Sequence, residues 1–310
     1  MSRQVREHVN KHFGYFYTVD KSLMKSQTKY QAMEFVETPE FGRVLLLDDI
    51  TQVVEKNDWL YHEPMVHPSL TCHENPRSVC VIGAGDGGIC REVLRHKTVE
   101  RLVHCDLDGE VVEACREWLP KIHGGCWDDP RTELVVGDGR AYIEQSTEQF
   151  DSIIMDMTDP FGPAVMLYTQ EYFQAVKARL RDERGYFTMH AESPISRPQT
   201  YCQILKTLGS VFKHVHVFYV YIQMYNLLWT VAVAGDNDLP ATIDTDTLGH
   251  RLLDREVGEL EVYTPITHHS MLGEYPYVSA IRAKNDWVPV ITDDNPTVVD
   301  EIDLNANSLD

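Results

Sequence analysis

The sequence predicts an α/β protein: a Rossmann-like, methyltransferase-type, mostly parallel sheet preceded by a small N-terminal antiparallel β domain. Three observations carry this reading. From Ser78 onward, short apolar runs alternate with amphipathic stretches, the rhythm that stacks helices on both faces of a parallel sheet. Between Gly14 and Glu55 the β-like runs YFYTV, MEFVE, RVLLL and TQVVE are separated only by polar or turn residues, as in an antiparallel sheet. A glycine-rich turn, GAGDGG, follows the first apolar run after Ser78, where a strand of an open α/β sheet would meet its helix.

In chain order, a helix is expected over Asp58 to Leu70 and a turn-rich joint at ENPR, residues 74–77. Five strand and helix pairs follow: SVCVIG with ICREVLRH, RLVHCDL with GEVVEACREWL, TELVVG with RAYIEQ, FDSIIMD with TQEYFQAVKARL, and GYFTMH with TYCQILKTLGSVF. The run Val217 to Ala234 carries no charge and approaches the length of a membrane span. Gln223 and Asn226 interrupt it, however, and its aromatic and β-branched content predicts two buried strands joined around those residues. The expected boundaries are an N-terminal β domain with its connecting helix over 1–74, a catalytic domain over 75–285, and an acidic tail over 286–310 whose extreme end is mobile.

With 310 residues, 43% of them apolar, the chain can bury a substantial core. Its 48 Asp+Glu against 28 Lys+Arg give a net charge of −20. That charge repels nucleic acid and anionic lipid and attracts cationic small molecules, so no nucleic-acid or membrane partner is expected. Seven cysteines without a CxxC pair indicate reduced thiols, and the N-terminus shows no apolar signal segment; both predict a cytoplasmic enzyme.

The unusual polar residues fall at strand ends. Gly83, Gly85 and Gly88 satisfy GxGxxG, but Asp86 inside the loop opposes a diphosphate and suits an ammonium. Asp106 ends the next strand, where it can hold a ribose diol. Asp138, followed by Gly139, ends the third and can accept from an adenine amino group. Three acids on consecutive strand ends suit an S-adenosyl sulfonium nucleoside better than a dinucleotide; each alone could equally be a helix cap. The fourth strand ends in DMTDP, placing Asp156 and Asp159 where they could bind a diamine or take a proton from an amine. FGPAVMLYT then provides a hinged, apolar loop able to cover a ligand. His62, His67 and His73 lack helical ligand spacing, so no metal is expected.

The motifs LDDITQVVEKNDWLYHE, VIGAGDGGICREVLRH, VVGDGRAYI, DMTDPFGP with LYTQEYF, and VYTPITHHS closely resemble those of the spermidine synthase family of polyamine aminopropyltransferases. The resemblance implies transfer of an aminopropyl group from decarboxylated S-adenosylmethionine, a co-substrate rather than a tightly bound cofactor, to a small polyamine acceptor, in a homodimer or homotetramer. It implies Asp156 as general base with Tyr61 beside it. Gln52 and Asp86 would hold the donor tail, Asp106 the ribose, and Asp138, Gly139 and Pro163 the base. His62 would sit at the junction of donor and acceptor, and Asp159, Glu192 and Tyr225 would contact the acceptor. His190, Gln223 and Trp229 depart from the family pattern, which leaves the acceptor open among putrescine, cadaverine, agmatine and triamines. A methyltransferase of the same fold and a catalytically silent polyamine-binding protein are the competing readings.

Overall fold

The computed structural model describes residues 3–10, 12–160 and 162–300; Phe161 of the expected covering loop and the end of the acidic tail, 301–310, lie outside them. Strands β1 (Arg3–Asn10) and β2 (Phe13–Val19) form a hairpin, and β3 (Lys21–Gln27), β4 (Ala32–Thr38), β5 (Gly42–Leu47) and β6 (Ile50–Val54) form a four-stranded antiparallel sheet. Phe35, Val36, Val44, Leu45, Leu46, Val53 and Val54 bury their side chains and hold that sheet together. Sequence reasoning did not anticipate β1. Its inward positions are Val5 and Glu7, so a carboxylate breaks the apolar alternation that would have signalled a strand.

Helix α1 (Trp59–Cys72) begins one residue after Asp58 and is buried from Tyr61 to Cys72 despite two internal prolines. Beyond it lies a seven-stranded sheet of order β12-β13-β11-β10-β7-β8-β9. Strands β7 (Ser78–Gly83), β8 (Arg101–Asp106), β9 (Thr132–Val136), β10 (Ser152–Asp156) and β11 (Tyr186–His190) run parallel. β12 (His214–Ile222) and β13 (Leu227–Gly235) add an antiparallel edge. The uncharged run is this hairpin: Ile222 pairs with Leu227 and Asn226 turns the chain with φ of 51°. No helix among the described residues is long and apolar enough to cross a membrane.

Helices α2 (Gly88–Arg95), α3 (Gly109–Trp118), α4 (Pro120–His123), α5 (Gly139–Gln145), α6 (Gln170–Arg179), α7 (Pro198–Gly209) and α8 (Leu239–Thr242) cover the sheet and its ends. The acidic stretch up to residue 300 is strapped across them. Val288 and Ile291 are buried, Arg140 of α5 pairs with Asp293, and the Thr200 N–H of α7 donates to Asp300 Oδ2 at 2.7 Å. β7 and β10 are neighbours at the centre, where the order reverses, so their carboxyl ends frame the crevice in which such sheets bind ligands.

Candidate active site

The turn from β7 into α2 is shaped by contacts that only glycine permits. Gly83 has φ of 78°, and a Cβ there would lie 2.0 Å from the Asp156 carbonyl oxygen. A Cβ at Gly88 would lie 2.2 Å from the His62 ring, so the imidazole packs directly on the start of α2. Within the turn, Asp86 Oδ1 accepts from the Gly88 N–H at 2.7 Å and lies 3.5 Å from His62 Nε2. The other ring nitrogen of His62 is 2.9 Å from Asp58 Oδ2. Burial disfavours charge on this imidazole, but Asp86 and Asp58 outweigh burial and raise its pKa.

Asp106 ends β8 with Oδ1 accepting from the Asp108 N–H at 2.8 Å, and a Cβ on Gly85 would lie 3.1 Å from its Oδ2. Burial pushes Asp106 up to about 6. Asp138 caps α5: its Oδ1 accepts from the Arg140 and Ala141 N–H groups at 2.8 and 3.1 Å, while Gly139 packs so tightly on Ile82 that a Cβ would lie 2.4 Å from its Cγ2. The cap engages one carboxylate oxygen of Asp138. Pro163 is exposed in the turn Gly162–Leu167, which Arg140 ties down through the Met166 carbonyl at 2.7 Å. Gln52, on β6, donates to the Ile50 carbonyl at 3.2 Å; among the described residues it makes no hydrogen bond to the strand-end acids.

Asp156, at the end of β10 and paired with Gly83, accepts a 2.6 Å hydrogen bond from the Tyr61 hydroxyl. Burial, reinforced by the negative charge of Asp86, raises the Asp156 pKa; the Tyr61 bond opposes the rise. Tyr61 is itself pushed well above its ordinary value by burial and by Asp156, so it stays a protonated donor. An aromatic wall continues from it: Tyr61 meets Tyr225 edge-on at 6.3 Å, Tyr225 meets Trp229 at 5.0 Å, and Trp229 stacks on His190 at 5.6 Å. His190 Nε2 donates to the Met157 carbonyl at 2.8 Å, and the Tyr168 hydroxyl donates to the Thr158 carbonyl at 2.9 Å. These two bonds pin the backbone between Asp156 and Asp159.

Asp159 and Glu192 are brought together by a residue that sequence reasoning missed. Arg197 Nη1 donates to Asp159 Oδ2 and, at 2.8 Å, to Glu192 Oε1. Glu192 is fully enclosed, adopts a left-handed φ of 68°, and its Oε2 is buried without a hydrogen-bond partner. Burial and the neighbouring Asp159 push Glu192 up to about 8, against the pull of Arg197. Glu7 of β1 is a second omission. Its Oε1 accepts from the Thr51 N–H at 3.0 Å and its Oε2 from the Tyr15 hydroxyl at 3.0 Å, and burial, with a contribution from Asp159, raises it to about 7. Among the departures from the family pattern, His190 and Trp229 belong to the aromatic wall. Gln223 turns towards the N-terminal sheet, accepting from Asn57 at 2.6 Å and donating to Glu40 at 3.0 Å. His67 is absorbed in a buried structural network, 2.9 Å from Glu92 and 3.0 Å from His96.

A family model described as "Spermine/spermidine synthase domain" matches residues 58–246, and one described as "Spermidine synthase tetramerisation domain" matches residues 5–55. A polyamine aminopropyltransferase of Nitrosomonas europaea is 36% identical, over 94% of this chain and 88% of that protein. The corresponding protein of Korarchaeum cryptofilum is 34% identical, over 95% and 91%. Among solved structures, a spermidine synthase in complex with the transition state analogue AdoDATO superposes with a TM-score of 0.84 at 30% identity, covering 92% of this chain and 97% of that one. The spermidine synthase of Thermotoga maritima gives 0.83 at 29%, covering 92% and 96%.

Proposed function

The chain belongs to the spermidine synthase family, and from that premise we propose that it transfers the aminopropyl group of decarboxylated S-adenosylmethionine to a diamine, yielding spermidine or an analogue and 5′-methylthioadenosine. The observation that carries the mechanism is the raised Asp156, held by Tyr61 between the donor-side acid Asp86 and the acceptor-side acids. An alkylammonium has no lone pair, so the acceptor must first lose a proton. Asp156 takes it, a step worth about 10²–10⁴ in rate. The freed nitrogen attacks the methylene carbon beside the sulfonium; the carbon–sulfur bond breaks and its electron pair neutralises sulfur as a thioether. Asp86 anchors the donor's ammonium, Asp106 the ribose and Asp138 the adenine, with Gln52, Gly139 and Pro163 completing the donor side. His62 orients Asp86. Positioning two cations in line, which would otherwise repel, supplies much of the remaining acceleration.

Arg197 selects the acceptor. It neutralises one of the two acceptor-side carboxylates, and an arriving ammonium would displace the proton that burial holds on Glu192, so the far end of the cleft offers charge to a single ammonium, received at Glu192 Oε2, which has no hydrogen-bond partner. A diamine leaves one ammonium after its attacking nitrogen is deprotonated; a triamine leaves two. Tyr225, Trp229 and His190 wall the methylene chain. The match of residues 5–55 to a tetramerisation domain supports a homodimer or homotetramer assembled through the N-terminal strands, and the family supports a cytoplasmic enzyme.

Asp156→Asn tests the base: turnover should fall at least about 100-fold with donor affinity unchanged. Surviving turnover sinks the assignment. The product of the wild-type reaction separates the methyltransferase reading, since 5′-methylthioadenosine means aminopropyl transfer and S-adenosylhomocysteine means methyl transfer. For the acceptor, an amine panel should give wild type a kcat/KM roughly tenfold or more higher for diamines than triamines, a gap that corresponds to about 1.4 kcal/mol, and Arg197→Met should narrow it. Equal use of both by wild type would refute the charge-counting argument.

A further inference from the structure

At the β12 edge of the large sheet, three side chains converge that the proposed reaction does not use. His214 and His216 lie two apart on β12 and so project to the same face. Their rings are parallel within 3°. Asp238 approaches from the turn that opens α8, with Oδ1 3.3 Å from His214 Nδ1 and 3.4 Å from His216 Nε2. The three ligand atoms all fall within 4.8 Å of one another. Two further observations show that the cluster has polar bonding capacity to spare. Asp238 occupies the N-cap position of α8, yet its carboxylate makes no capping bond; Asn237 Oδ1 instead accepts from the Leu239 N–H at 3.1 Å. His216 Nε2 is buried and makes no hydrogen bond. The register places the cluster far from the catalytic strand ends: His214 and Tyr186 both pair with Gly235, whereas His190, near the site, pairs with Val231.

We propose that His214, His216 and Asp238 form a binding site for a zinc-like divalent transition metal, with two imidazole nitrogens, one carboxylate oxygen and the fourth tetrahedral position left to water. Two nitrogens and one oxygen suit zinc rather than magnesium, which demands an octahedral oxygen shell. The charge of −20 raises the local concentration of any cation. A metal here would tie the edge strand β12 to the turn before α8, adding stability to the folded chain by mass action without entering the chemistry.

The test uses the full chain, stripped with chelator and titrated with zinc, then separately with magnesium, by calorimetry and thermal melting. Saturable binding of one zinc per chain with a raised Tm is expected, with no response to magnesium and unchanged aminopropyl transfer. Asp238→Asn and His214→Gln, both at partly exposed positions and tolerable to the fold, should each weaken zinc binding at least about tenfold. Absence of saturable binding by wild type, or binding undiminished in both variants, overturns the site.

Discussion

Tyr61 and Asp156 share the shortest route from sequence to chemistry. A buried carboxylate beside another negative charge is held above its ordinary value, and the hydroxyl of Tyr61 moderates that rise by donating to the charged form. Tyr61→Phe removes the moderating bond. With Asp156 as the proposed base, the acid limb of the kcat/KM profile, along which it gains its proton, should therefore move to higher pH in the variant. A limb that stays in place would show that Tyr61 positions without tuning. At the same scale, Asp156 stands out in DMTDP as a candidate because an apolar strand rarely ends in a charge without a use for it. Arg197 was not: it sits in the unpatterned stretch SPISRP, and its meaning depends on two carboxylates distant in sequence.

Helix α1 shows what an element adds to its residues. Consecutive helical side chains diverge by about 100°, so neighbouring Tyr61 and His62 reach different acids, Asp156 and Asp86. One helix thereby sets both the proposed base and the proposed donor clamp. The β1–β2 hairpin carries a second consequence through Glu7, whose folded pKa of about 7 lies above its usual 4.5. For an acid raised in this way the folded state binds the proton more tightly. Its stabilising contribution is complete below 4.5 and is lost as pH rises through about 7, amounting to roughly 3 kcal/mol at most. Glu7→Gln should thus flatten the decline of Tm between about pH 5 and 8 relative to wild type; parallel curves would remove Glu7 from that account. The hairpin β12–β13 was legible because an uncharged run broken by Gln223 and Asn226 has few other solutions. β1 was hidden because its inward positions include an acid.

For the whole molecule, sequence alone determined the parallel sheet, the place of the cleft at its strand ends and the acids that ring it, because these follow from local period and from charges at unusual positions. The large negative charge is compatible with a cationic ligand, although solubility or adaptation to salt accounts for it equally well. Tertiary structure decided how those acids are paired: Asp86 with His62, Asp156 with Tyr61, and Asp159 with Glu192 through Arg197. It also brought His214 and His216 to Asp238 across a hairpin and a turn, and drew the acidic stretch before residue 301 onto α5 and α7. Strand and helix period is written in neighbouring residues, whereas the field at a carboxylate is set by whatever the fold packs within a few ångströms of it, and that contact list is long-range in sequence.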